Sequence, residues 1–168
     1  MRQNMDIEQE EIIREVKAYV RNAHLNQTRK FGSDKGKSYF DTHISRVAIM
    51  VETEDVTFDQ IVAAWLHDTK EDQIEWWNPT ALIAMGVTEN ALDIVDHLSK
   101  LEGENYLNFI LRVMKKPEAI LIKMKDIEDN MSDLKEGSMK DKYRLAHHLL
   151  KGELNCNDWA NASNEGTV

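Results

Sequence analysis

The sequence predicts an all-α protein. Apolar residues recur at helical spacing along the chain, beginning with Ile12, Val16, Tyr19, Val20 and Ala23. No stretch alternates apolar and polar residues in the way that a half-buried strand does. Residue pairs typical of helix starts, such as Thr57 with Gln60, precede several of the apolar segments.

The helix boundaries follow from capping and turn residues. Residues 25–42 carry Gly, Ser and Lys and predict a loop, and residues 44–51 then predict a short helix. Thr57 opens a helix that we expect to end near Asp68. The remaining helices are predicted over residues 78–86, 88–100, 105–116, 117–134 and 139–151.

The length of 168 residues predicts one domain with a sizeable core. We assign residues 1–151 to this domain. Residues 152–168 are rich in Asn, Gly and Ser, and we expect them to form a loose C-terminal tail.

The composition restricts the partners and the compartment. The 21 basic and 30 acidic residues give a formal charge of −9, which disfavours nucleic acid because a protein of this charge gains little from counterion release. Cys156 is alone, so no internal disulfide can form and a reducing, cytoplasmic location is expected. We find neither an apolar signal core nor an apolar run of the ~20 residues that a membrane span needs. The oligomeric state is left open.

The most informative segment joins an apolar run, residues 63–66, to His67 and Asp68. Charged groups beside an apolar run need a partner that offsets their desolvation, and a divalent cation is one such partner. On a helix, Glu71 lies one turn after His67 and Asp72 one turn after Asp68. The segment therefore predicts a metal site with two carboxylates placed beside it for proton transfer.

Two further ligand candidates are His43 and Asp126. The order of a His, then His67-Asp68, then a distant Asp resembles the metal pattern of the HD superfamily of phosphohydrolases. This resemblance implies an all-α HD-domain bundle.

Longer signatures resemble the hydrolase domain of RelA/SpoT-type alarmone enzymes. Gln27, Arg29-Lys30 and Tyr39 precede His43, as in the opening of that domain. The second signature is His67-Asp68-Thr69-Lys70-Glu71-Asp72. The third combines residues 122–126 with Asn130-Met131. Three ordered signatures over roughly residues 20–135 are far more specific than a His-Asp pair alone.

The resemblance implies three groups of site residues and a substrate. The ligands of one divalent ion, usually manganese in this family, are expected to be His43, His67, Asp68 and Asp126. The groups that handle protons are expected to be Glu71 and Asp72. The groups that bind substrate are expected to be Arg29, Lys30 and Asn130. The implied reaction removes the 3′-pyrophosphate from ppGpp or pppGpp, giving GDP or GTP and pyrophosphate.

One departure from the family keeps other substrates open. Ser132-Asp133 stands where the family usually carries Arg-Thr near the nucleotide base, which bears on guanine specificity. Related HD enzymes act on NADPH, dNTPs or nucleoside monophosphates, although Asp72 favours the alarmone branch. A catalytically inactive nucleotide-binding regulator is a third hypothesis, and the retained ligands and Glu71-Asp72 pair argue against it.

Overall fold

The computed structural model describes the backbone of residues 5–165 and the side chains of residues 5–155. Within these ranges the chain is built from helices, and the predicted all-α class is confirmed. The helices are Ile7–Ala23 (α1), Ser45–Glu52 (α2), Phe58–Leu66 (α3), Thr69–Asp72 (α4), Pro79–Ala84 (α5), Glu89–Leu98 (α6), Tyr106–Val113 (α7), Pro117–Ser132 (α8) and Ser138–Glu165 (α9). Among the described residues, no helix combines the length and apolar character required to cross a bilayer.

Side-chain caps set several helix starts where the sequence predicted them. Thr57 and Gln60 form the capping box of α3, in which each side chain bonds the backbone of the other residue. Asn78 caps α5, which begins at Pro79, and Thr88 caps α6. Each such cap typically contributes about 1 kcal/mol, which is enough to define where a short helix begins.

Helix α3 lies at the centre of the protein. Every residue from Ile61 to Leu66 is buried, and α1, α2, α6 and α8 pack around this helix. A helix that is apolar on all sides is expected in such a position. Because α3 ends inside the molecule, His67 is buried as well, and Asp68, which follows it, is half-buried.

The segment before α2 differs from the prediction. Residues 40–44 form a π-helical turn that runs directly into α2, whereas the sequence predicted a loop as far as residue 42. A π turn inserts an extra residue into the helical ladder, and such turns are frequent at functional sites. This turn carries His43, which is fully buried.

The C-terminal helix is longer than predicted. The sequence indicated an end at Lys151, but α9 continues to Glu165. The domain limits of 1–151 and the loose tail of 152–168 stay predictions. Residues 1–4 and 166–168 of these two segments lie outside the described residues.

Candidate metal centre and adjoining cavity

The structure brings three of the predicted ligands into one cluster. One donor atom from each of His43, His67 and Asp68 lies within 4.8 Å of the other two. The two Nε2 atoms are 3.4 Å apart, and Asp68 Oδ2 lies 3.3 Å from each of them. These residues come from the π turn and from the end of α3, which pack against each other through α2.

The opposite edge of each imidazole is fixed by a hydrogen bond. His67 Nδ1 donates to the carbonyl oxygen of Ala64 at 2.8 Å, and His43 Nδ1 donates to Asp129 Oδ2 at 2.7 Å. A carbonyl oxygen can only accept, so the proton of His67 resides on Nδ1. With Nδ1 committed to these acceptors, the Nε2 atom of each ring faces the cluster, which is the orientation that metal-binding histidines adopt.

Asp126 joins the cluster through His43. Its Oδ1 lies 3.2 Å from His43 Nε2, and the same oxygen accepts a hydrogen bond from Asn130 Nδ2 at 2.6 Å. Its Oδ2 accepts from Lys123 Nζ at 2.6 Å. Burial raises the pKa of Asp126, but Lys123 and His43 outweigh burial and hold the pKa below its usual value. Asp126 is thus an ionised carboxylate at the edge of the cluster.

The donor set fits a first-row divalent ion. Two imidazole nitrogens and carboxylate oxygens suit ions between the soft and hard extremes. Donor atoms that share one ion at about 2.0–2.2 Å are roughly 3.0–3.5 Å apart, and the separations of 3.2–3.4 Å match this range. Burial lowers the pKa of His43, yet hydrogen bonds to Asp126, Asp129 and Asp68 raise it well above its ordinary value. The carboxylates therefore create a field that strongly favours positive charge.

The two predicted proton-transfer residues lie on α4, directly after Asp68, and face different surfaces. The Asp72 amide donates to the Asp68 carbonyl at 2.9 Å, so the predicted one-turn offset is present. Asp72 lines a cavity, where Oδ2 accepts from Gln27 Nε2 at 2.7 Å. Glu71 lines a separate groove, where Oε2 accepts from the Lys100 amide at 2.8 Å. Desolvation raises the pKa of each carboxyl group, and Asp68 adds to this effect.

The cavity beside Asp72 has a volume of about 250 Å³. The cavity adjoins the cluster of predicted ligands through two of its lining residues. Tyr39 donates a hydrogen bond to Asp68 Oδ2 at 2.6 Å, and Asn130 donates one to Asp126. The predicted substrate residues Arg29, Lys30 and Asn130 all line this cavity. The structure therefore brings the predicted ligands and the predicted substrate residues to one place.

Arg29 and Lys30 are held differently. The Arg29 side chain is 6% exposed, and its Nη2 lies 3.2 Å from Asp129 Oδ2 and 3.5 Å from Asp133 Oδ1. Lys30 is exposed at the cavity wall. Arg29 is thus a fixed charge, whereas Lys30 has the freedom to follow a ligand.

Sequence reasoning gave no role to three residues that contact the predicted ligands. Lys123 and Asp129 lie on α8, each three positions from Asp126, so helical spacing could have indicated both. Tyr39 was noted only as part of a signature. The hydrogen bond from Tyr39 to Asp68 joins positions that are far apart in the chain, and no local sequence pattern predicts such a contact.

Known proteins provide an independent comparison. The guanosine-3′,5′-bis(diphosphate) 3′-pyrophosphohydrolase of Aquifex aeolicus is 27% identical over 165 residues, covering 84% of this chain and 22% of that protein. The bifunctional (p)ppGpp synthase/hydrolase SpoT of Escherichia coli is 27% identical over 151 residues, covering 83% of this chain and 20% of that protein. The chain spans about a fifth of the length of these curated relatives. No protein-family model matches the chain.

A solved structure shares the fold. A metazoan orthologue of SpoT, described as hydrolysing ppGpp, superposes with a TM-score of 0.64 at 17% sequence identity. The match covers 90% of this chain and 88% of the metazoan chain. The resemblance to SpoT-type hydrolases that the motifs indicated is confirmed by similar sequences, and the predicted all-α bundle by a similar fold.

Proposed function

We propose that this protein is a metal-dependent phosphohydrolase that removes the 3′-pyrophosphate from ppGpp or pppGpp. The observation that carries the proposal is the direct contact between the His43–His67–Asp68 cluster and a cavity lined by basic and acidic side chains. The names of the curated relatives support this choice of substrate. A small nucleotide in the cytoplasm, rather than nucleic acid, agrees with the charge of −9.

The metal ligands in this proposal are His43, His67, Asp68 and Asp126, and the ion is Mn²⁺. The mixed nitrogen and oxygen donor set supports an ion of this type. When bound, such an ion supplies Lewis acidity toward a phosphoryl oxygen. The hydrogen bonds on the Nδ1 edges of both histidines keep the donor atoms aligned before any ligand arrives.

Asp72 and Glu71 handle protons in the proposed reaction. Asp72 borders both the cavity and Asp68, so its carboxylate is placed to accept a proton from an attacking water. Its bond from Gln27 Nε2 orients one oxygen and leaves the other for this task. Glu71 Oε2 accepts from the Lys100 amide, and its carboxyl group interacts electrostatically with Asp68 and Asp72. In the proposed reaction it shares with Asp72 the tasks of positioning the water and managing the leaving-group proton. The raised pKa of each carboxyl group brings it nearer to neutral pH, where acid–base groups act best.

Substrate binding is assigned to Arg29, Lys30 and Asn130. Lys30 approaches the phosphates, while Arg29, held between two carboxylates, offers its remaining N–H groups to the base or ribose. Asp133 occupies the place where the family usually has a base-contacting residue, and here it pairs with Arg29. We therefore expect weak discrimination between guanine and adenine, so ppApp and pppApp are further substrates.

A hydrolysis panel tests the proposal. The purified protein with Mn²⁺ is incubated with ppGpp, pppGpp, NADPH, dNTPs and nucleoside monophosphates, and products are resolved by ion exchange. We expect GDP and pyrophosphate from ppGpp in preference to any turnover of dNTPs or monophosphates. An Asp68→Asn variant, purified in the same way, reports contaminating activity.

The other outcomes separate the competing hypotheses. Inert ppGpp together with turnover of NADPH or a dNTP would make the alarmone assignment wrong and leave a general HD phosphohydrolase. Binding of ppGpp by a metal-free protein that hydrolyses nothing in the panel would favour the inactive regulator.

A further inference from the structure

Asp129 is a buried carboxylate at the junction of the metal cluster and the cavity. Its side chain is 4% exposed and belongs to α8, three residues after Asp126. Three side chains from two other parts of the chain converge on it: His43, Arg46 and Arg29. A buried carboxylate persists only when partners of this kind offset its desolvation.

The contact with His43 is the shortest of the three. His43 Nδ1 and Asp129 Oδ2 are 2.7 Å apart, and both side chains are almost entirely buried. A carboxylate at this distance holds the imidazole in the tautomer with Nδ1 protonated and fixes the ring plane. The Nε2 atom, on the far edge of the ring, then faces Asp68 and Asp126 at 3.3 and 3.2 Å.

Two guanidinium groups in turn hold Asp129. Arg46 Nε lies 2.8 Å from Oδ1, and Arg29 Nη2 lies 3.2 Å from Oδ2. Arg46 is itself anchored to Asp34 at 2.7 Å. The carboxylate thus has both oxygens occupied and cannot rotate away from His43 without breaking an ion pair.

We propose that Asp129 is a positioning residue that orients His43 for the metal ion and sets the affinity of the site. It acts through the imidazole and does not bind the ion itself. The inference rests on the metal site of the proposed function, but not on the identity of the substrate. Replacing the hydrogen-bond partner of a ligating histidine typically weakens metal binding about 10–100-fold.

The test is an equilibrium Mn²⁺ titration of the metal-free 168-residue chain against a competing chelator, which needs no substrate. Asp129→Asn should weaken binding about 10–100-fold. Asp133→Asn is the matched control. Asp133 is also a carboxylate that pairs with Arg29, but it lies at the C-terminal end of α8. The control should bind Mn²⁺ within about twofold of wild type, which corresponds to ~0.4 kcal/mol.

Several outcomes overturn the inference. Equal affinity of wild type and Asp129→Asn overturns it alone and leaves the proposed function standing. An equal loss in both variants also overturns it, because the effect would then be general charge removal. A wild-type chain that binds no Mn²⁺ overturns the metal site of the proposed function and the inference together.

A measurement on the wild type covers the case in which Asp129→Asn fails to fold. In protein loaded with diamagnetic Zn²⁺, ¹⁵N-resolved NMR of the imidazoles reports which nitrogen of His43 carries the proton. We expect a proton on Nδ1 and a metal-shifted Nε2. A proton on Nε2 would contradict the role of Asp129.

Discussion

The cluster of predicted metal ligands and the adjoining cavity differ in how firmly their side chains are held. In the cluster, the side chains of His43 and His67 are 1% and 3% exposed, and each has a fixed Nδ1 partner. In the cavity wall, Lys30 is exposed and Phe31 is 60% exposed. The packed helices therefore fix the geometry of the candidate metal ligands, whereas the predicted substrate residue Lys30 belongs to a loop that has more freedom to adapt.

This contrast follows from the chain segments that carry the two sets of side chains. The cluster comes from the end of the buried helix α3, from the π turn before α2, and from α8. The exposed cavity residues belong to a loop whose ends are joined by an isolated bridge between Thr28 and Ser38. Changes in the cluster should therefore abolish metal binding, and changes in the loop should alter substrate affinity.

The largest effect is expected from Asp126→Ala. The change removes a proposed ligand and leaves the ammonium of Lys123 without its 2.6 Å partner, so we expect loss of the metal and of turnover. Metal content by mass spectrometry and the ppGpp assay measure the two effects. Glu128→Ala on the same helix removes a carboxylate that pairs with His147 and should retain both properties. Full activity in a metal-free Asp126→Ala protein would disprove the site assignment.

A smaller effect is expected from Glu71→Gln. The glutamine carbonyl can still accept from the Lys100 amide, so only the acid–base function is removed. We expect metal and substrate binding to persist and kcat to fall ~10²–10⁴-fold. Glu75→Gln, in the next turn of the chain, faces a different groove and serves as the control. An unchanged kcat would mean that Glu71 is a solvated surface carboxylate with no role in proton transfer.

The smallest effect in this series is expected from Arg29→Ala. In the proposed complex, Arg29 would contact the substrate equally in the ground state and the transition state, so its loss should mainly raise KM. A charge-assisted hydrogen bond contributes about 1.5–3 kcal/mol, which corresponds to roughly a 10–100-fold change in affinity. Lys35→Ala, an exposed charge in the same loop, should leave KM unchanged. A fall in kcat at constant KM would assign Arg29 to the metal cluster rather than to substrate binding.

Much of this arrangement could be predicted from the sequence because it depends on local spacing. The buried run of α3 and its Thr57 cap gave the entry to the His67-Asp68 turn, and helical offsets placed Asp72. The contact between His43 and Asp129 could not be predicted in the same way, since it joins residues 86 positions apart. Such contacts depend on how whole helices pack.

The orientation of Glu71 shows a second limit. Helical spacing alone puts it one turn after His67, on the side of the metal. The chain is not one continuous helix there, because α3 ends at Leu66 and α4 begins at Thr69. Glu71 Oε2 accepts from the Lys100 amide, and its carboxyl group also interacts electrostatically with Asp68. Neither the two-residue interruption nor the contact with Lys100 is visible in the apolar pattern.

The central claim is that one divalent ion binds between His43, His67 and Asp68. The most direct measurement is an anomalous difference map, recorded at the manganese absorption edge, from crystals grown with Mn²⁺. We expect one strong peak within roughly 2.0–2.3 Å of both Nε2 atoms, of Asp68 Oδ2 and of Asp126. A map with full manganese occupancy elsewhere and no peak in this cluster would contradict it.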